Sequence, residues 1–433
     1  MYGVARTDVP AEMPADLPTP PLDEIDLTDP DAYIDRVPHE QFATLRREAP
    51  VFWHEDVEGG FWCVTRHADI VTVNRDWETF SSYRGAVFLS TPADLEMSRM
   101  MMLNMDPPEH AKLRKLVNRG FTPKRIRELQ EVLARRATTI VDEVIDRGAC
   151  DMVEAVAAEL PLQAIAEFLG VPQEDRHLVF QWSNAMIGSD DPEYATGKDG
   201  EGRTAETMAA SAALYAYAQD LAEDRRANPR DDIVTDLVQA EVDGDRLSDM
   251  DFNLFFLLLA VAGNETTRNA ISHSVLALAE NPDQRAWLRE DPERWDSALE
   301  EFLRWSTPVM HFRRTATRDT ELGGQAIAEG DRVVIWHISG NRDEAVFEDP
   351  YTLDLGRTPN EHLAGAVSSS HVAFGGGGPH FCLGANLARA EMRVMLQEVV
   401  GRLGDFEVDG PVQRLRSNFI NGIKHLPIAW STS

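Results

Sequence analysis

Phe374-Gly-Gly-Gly-Gly-Pro-His-Phe-Cys382-Leu-Gly384-Ala-Asn-Leu-Ala-Arg389 is the stretch on which the reading of this chain turns. Four consecutive glycines remove side chains and let the backbone pass close to a flat, bulky group. The cysteine stands just before a long helical pattern, Gly384 to about Leu403, where N-terminal N–H groups and the helix dipole favour a thiolate. A lone cysteine is usually a small buried residue. In this setting it reads as an electron-donating ligand.

The chain has 433 residues, with 42 Lys and Arg against 73 Asp and Glu, for a net charge of −31. A hydrophobic content of 43% supplies a large core and excludes a disordered chain. The acidic excess argues against nucleic acid and anionic membranes as partners, since both need a dominant basic face. Cys63, Cys150 and Cys382 are too few for a disulfide framework. No secretory signal opens the sequence, and the longest apolar run, Leu254–Ala262, is too short to span a bilayer. These features predict a soluble, cytoplasmic protein.

Residues 1–35 are rich in Pro and acid and read as an extended arm; residues 36–433 read as one large domain, mainly α with small β-sheets. Short strands are expected at Val51–His54 and Phe61–Thr65, and helices at Pro123–Arg147, Thr204–Arg226 and Ser248–Glu280. Phe312–Ile335 alternates around Gly323-Gly324 like a small antiparallel sheet.

Three other segments carry chemistry. Glu301-Phe-Leu-Arg304 sets a carboxylate and a guanidinium on one helix face, followed in order by Asp343, Phe347, Pro350 and Arg357. Leu257-Leu-Leu-Ala-Val261-Ala262-Gly263-Asn-Glu265-Thr266-Thr267 places a glycine and polar residues inside an apolar helix, a local cost that marks functional sites. Pro107-Pro-Glu-His110-Ala-Lys-Leu-Arg114 puts His110 and Arg114 one helical turn apart.

Together these motifs resemble the bacterial cytochrome P450 family, over roughly residues 105–390 in the family's order. The resemblance implies the P450 fold, haem b with Cys382 as axial iron ligand, and a monooxygenase that uses O2. It assigns His110, Arg114, Arg314, His380 and Gly384 to the haem, and Glu301, Arg304 and Arg357 to a buried structural network. Thr266 would hold an ordered water and Glu265 would relay protons, beside a helix locally opened at Gly263. Two departures stand out. Phe374 lies one residue further from Cys382 than in the commonest family pattern. Glu361–Ser370 stands where one residue is usual and reads as an insertion of about nine.

No flavin or iron–sulfur motif is present, so the resemblance implies electrons from NAD(P)H through a separate ferredoxin and ferredoxin reductase. His110–Arg127 contains seven Lys and Arg and no acid, a docking face for an acidic ferredoxin. The Met-rich loop 87–105 suits a large apolar substrate, with Val87, Phe88, Met101, Val261 and Ala262 as candidate contacts. Segments such as Trp182–Gly188 and Arg416–His425 resemble actinobacterial steroid side-chain hydroxylases, which oxidise the terminal methyl of cholesterol or cholest-4-en-3-one. The alternatives are a hydroxylase of methyl-branched lipids or terpenoids, and a non-catalytic haem-thiolate binding protein. A monomer is expected.

Overall fold

The computed structural model describes residues 18–56, 59–87, 99–121, 123–187, 191–193, 200–242, 244–357 and 370–432. Eight helices position the site: α1 (Glu109–Val117), α2 (Pro123–Val144), α3 (Glu159–Phe168), α4 (Arg176–Ile187), α5 (Gly200–Ala227), α6 (Asp249–Glu280), α7 (Trp295–Ser306) and α8 (Ala385–Arg402). Helix α6 is the axis, with α3, α4, α5, α7 and α8 packed against it. Its 32 residues are apolar on most sides, as a helix enclosed by others must be. It starts at a capping box, in which Ser248 Oγ accepts from Asp251 N (3.1 Å) and Asp251 Oδ2 accepts from Ser248 N (3.1 Å). No helix among the described residues is long and apolar enough to cross a membrane.

Beside the helices lies a sheet of β1 (Val51–His54), β2 (Phe61–Val64), β3 (Phe80–Ser81), β5 (His311–Ala316) and β6 (Arg332–Trp336), ordered β1-β2-β6-β5-β3. A smaller sheet joins β4 (Ala149–Asp151), β8 (Pro427–Trp430) and β7 (Phe406–Val408). The strands expected around Gly323-Gly324 form an antiparallel pair of their own, Thr320–Leu322 with Gln325–Ile327, and β5 and β6 on either side of it also pair antiparallel, while β6 joins β2 in parallel. The arm is a correction. Ile25, Leu27 and Tyr33 are buried with Phe42 and Trp336, and Leu27 N donates to His54 Nε2 (3.2 Å). From Leu22 on, apolar residues between the prolines dock the segment onto the domain instead of leaving it extended.

The Glu301–Arg304 pair is wholly buried on α7. Arg304 donates to Glu301 through Nε and Nη2, both at 2.7 Å, and to the carbonyls of Asn341 and Pro350 at 2.8 Å. Arg357 Nε donates to the same carboxylate at 3.1 and 3.2 Å. Burial would raise the Glu301 pKa, but the two guanidiniums outweigh it and hold it below the usual range. The network ties α7 to the irregular chain leading to Cys382.

Candidate active site

An apolar cavity opens between α6, α8, β5 and the glycine-rich segment. One stripe of α6 faces it: Leu258, Leu259, Ala262, Gly263, Thr266 and Thr267, the three- and four-residue spacing of a single helical face. Val261 is a helical step off that stripe and does not line the cavity, so of the two expected α6 contacts only Ala262 does. Met101 packs against the core and Val87 lies apart, neither on the cavity wall. Phe88 and residues 361–369 of the insertion lie outside the described residues.

The helix is continuous through Gly263, which corrects the expected local opening. A Cβ at Gly263 would sit 2.4 Å from Ile165 Cδ1 of α3, so close helix packing accounts for the glycine. Thr266 Oγ1 donates to Ala262 O at 2.7 Å, the back-bond that satisfies a helical threonine. Glu265 points off the stripe. It is buried, its carboxylate accepts from Arg268, and its Oε1 has no hydrogen-bond partner among the described residues. Burial pushes the Glu265 pKa up, opposed by Arg268.

Of the three cysteines, Cys382 alone lines the cavity. Its N–H donates to Phe374 O (3.1 Å). Burial raises the thiol's pKa, while the N–H groups of Gly384 and Ala385 and the charges of Arg114 and Arg389 pull it down. Three of the four glycines, Gly376, Gly377 and Gly378, pack against protein rather than the cavity. Gly378 adopts φ +78°, and a Cβ there would sit 2.0 Å from Asn74 O. The close approach is to the helix His67–Arg75, and only Gly375 of the four reaches the cavity. Gly384 is the opposite case, since a Cβ there would meet nothing within 4 Å. Protein packing does not demand that glycine, which stands on the cavity wall beside Cys382.

The remaining wall is cationic at one edge, where His110, Arg114, Arg314 and His380 meet. Arg114 Nη2 donates to Phe381 O (2.7 Å), and Arg314 donates to Arg313 O (2.7 Å) and Asn74 Oδ1 (3.3 Å). Burial lowers the pKa of Arg114, and brings Arg314 down to about 10 against the pull of Asp106. His110, with its ring 4.3 Å from that of His380, is pushed down to about 4 by burial and the Arg114 charge. Burial and Arg314 hold His380 well below the imidazole range. A buried guanidinium and a half-buried one, each bonded to neutral acceptors, form a seat for anions. An apolar slot with a thiol on one wall and this seat at its edge fits a planar, dicarboxylate metal porphyrin.

Sequence reasoning missed Asn74 and His337, which complete that edge. Asn74 Nδ2 lies 3.3 Å from His337 Nε2, and His337 Nδ1 is buried without a partner among the described residues. Burial and Arg314 push His337 down to about 3. Neither residue sits in a recognisable motif; folding alone brings them to Arg314.

Comparison with known proteins places this geometry. The family model for cytochrome P450 matches residues 201–417. A steroid C26-monooxygenase of Mycobacterium tuberculosis is 44% identical over 429 residues, covering 96% of this chain and 95% of that protein. A methyl-branched lipid omega-hydroxylase of the same organism is 43% identical over 428 residues, with 96% of each chain covered. The solved structure of a Mycobacterium marinum cytochrome P450 in complex with pseudoionone superposes with a TM-score of 0.86 at 43% identity, covering 95% of this chain and 99% of that one. With the ligand loop, the buried Glu301 network and the full-length similarity in agreement, the chain belongs to the cytochrome P450 family of monooxygenases.

Proposed function

We propose that this enzyme hydroxylates the terminal methyl of a sterol side chain, with cholesterol or cholest-4-en-3-one as substrate. The observation that carries the reading is 44% identity along 96% of the chain to a steroid C26-monooxygenase. The apolar stripe of α6, with Phe255, Val309 and Phe312 around it, suits a long hydrocarbon substrate.

In this reading the cofactor is haem b. Cys382 holds its iron, His110, Arg114, Arg314 and His380 hold its carboxylates, and Gly384 leaves room for the ring. Bound haem supplies the activation of O2 and the insertion of one oxygen atom into a C–H bond. The protein supplies orientation, dryness and protons. The apolar wall excludes bulk water from the reacting end of the substrate. Thr266 turns its hydroxyl from Ala262 O into the cavity, where it holds a water and passes a proton inward. Glu265 refills that proton from the outer side of α6 when its pair with Arg268 opens. Electrons from NAD(P)H arrive through a ferredoxin reductase and a ferredoxin docked on the basic stretch, of which Lys112, Lys115, Lys124 and Arg127 are exposed. The enzyme acts as a cytoplasmic monomer.

A second reading, oxidation of methyl-branched lipids, is favoured by the nearly equal identity to the omega-hydroxylase. Titration of the haem-loaded enzyme with cholest-4-en-3-one and with a methyl-branched fatty acid, followed by turnover with ferredoxin and reductase, separates the two. A spectral shift and a terminal alcohol from the sterol are expected. Turnover of the branched acid alone overturns the sterol reading, and binding without product with either overturns the catalytic one.

A further inference from the structure

Glu300 precedes the Glu301 of the buried network, yet it serves another partner set. Adjacent helical positions point about 100° apart, so α7 sends Glu301 to Arg304 and Arg357 and Glu300 towards α8. Glu300 is 6% exposed. Its Oε1 accepts from Arg389 Nε at 2.6 Å, and its Oε2 accepts from Arg389 Nη2 at 2.8 Å and from His371 Nε2 at 2.9 Å. His371 Nδ1 accepts from Ala373 N (3.2 Å), which fixes the ring proton on Nε2, facing Glu300. The carboxylate is thereby held ionised: burial would raise its pKa, but Arg389 and His371 bring it down to about 2.

The arrangement ends on the ligand loop. The Arg389 guanidinium lies 4.6 Å from the centre of the Phe374 ring, and the His371 ring packs against the same phenylalanine at 5.8 Å. Phe374 is the residue whose carbonyl accepts from Cys382 N at 3.1 Å. A chain of contacts therefore runs from Glu300 on α7 through Arg389 on α8 to Phe374 and the backbone of Cys382. A long arginine side chain left free has many rotamers; a bidentate carboxylate selects the one that covers Phe374.

We propose that Glu300 is a positioning residue for the haem ligand: by fixing Arg389 and His371 on Phe374, it holds the Cys382 loop in the conformation that presents the thiolate. This rests on the assignment of Cys382 as the iron ligand, and the experiment separates the two. Wild-type, Glu300→Ala, Glu300→Gln, Arg389→Ala and the double variant Glu300→Ala/Arg389→Ala are loaded with haem, reduced and exposed to carbon monoxide. The rate at which the red-shifted thiolate band gives way to the unshifted band is then followed in mild denaturant. Asp296→Ala is the control, because Asp296 and Arg393 form an exposed pair between the same two helices.

Conversion about tenfold faster or more is expected for Glu300→Ala and Arg389→Ala. Glu300→Gln, which keeps hydrogen-bonding atoms, should fall between, and the double variant should be no faster than the worse single. Asp296→Ala should match wild type. Equal rates in wild type and Glu300→Ala, or equal acceleration by Asp296→Ala, overturn the proposal and leave the ligand assignment standing. A haem-loaded wild type with no red-shifted band overturns the ligand assignment and the proposal with it.

Discussion

Close packing of α6 on α3 makes Gly263 a sharp test of why a glycine stands inside the helix that lines the cavity. In Gly263→Ala the new Cβ meets Ile165 Cδ1 at 2.4 Å and Cγ1 at 3.1 Å. Removing a mid-helix glycine gains about 1 kcal/mol of helix propensity, while overpacking a filled core costs about 1–3 kcal/mol. The net expectation is a loss of about 0–2 kcal/mol. Ile165→Val deletes the atom at 2.4 Å and leaves the tolerable one at 3.1 Å; alone it costs about 0.5–1.5 kcal/mol. In the double variant the overlap is gone and the helix gain remains. The two changes should therefore be non-additive by about 1 kcal/mol or more in the favourable direction, beyond the ~0.5 kcal/mol scatter of independent sites. Urea midpoints of the haem-loaded proteins at constant m measure this. If the double variant equals the sum of the singles, Ile165 is not the reason for the glycine, and a role in opening the helix regains its place.

Cys382→Ser should abolish the red-shifted band of the reduced carbon monoxide complex; retention of that band removes the ligand assignment. Thr266→Ala should keep sterol binding but divert reducing equivalents to peroxide, and fully coupled product formation would count against Thr266 as proton donor. His425 Nδ1 lies 2.6 Å from Asp151 Oδ2 and Nε2 lies 2.8 Å from Glu193 Oε1, joining the segment after α4 to the end of β4. Burial lowers the His425 pKa, but the two carboxylates outweigh it and raise it above the usual 6.5. The clasp therefore contributes stability below about pH 6.5 and loses it as pH rises through the raised value. The protection factors of residues 191–193, corrected for base-catalysed intrinsic exchange, should fall across that window in wild type and stay flat in His425→Gln; a flat wild-type protection profile sinks the idea.

Legibility in the sequence followed chain distance. Cys382, Glu301 with Arg304, and His110 with Arg114 are local patterns, and each reaches its expected neighbourhood because a helix or loop fixes their spacing. Ala262 and Thr266 were readable from helical phase, and Val261 failed on the same phase, one step round α6. Glu265 was read from its place beside Thr266 as a relay from solvent, and its carboxylate lies off the cavity stripe, buried beside Arg268. The glycines of the ligand loop were read as making room for a cofactor, whereas Gly378 makes room for Asn74, a contact spanning 304 residues of chain. Asn74, His337 and Glu300 had no sequence signal, since each takes its role from a partner on a distant element.

The cationic edge of the cavity also bears on biogenesis. A chain just released from the ribosome must bring Arg114 and Arg314 into a poorly hydrated edge where their described acceptors are neutral. A dicarboxylate porphyrin seated there would compensate those charges and, by binding the folded form, would shift the folding equilibrium by mass action. Cellular haem supply would then govern how much of this protein survives proteolysis, not only how much of it is active. Iron starvation would be felt first as a shortage of the polypeptide.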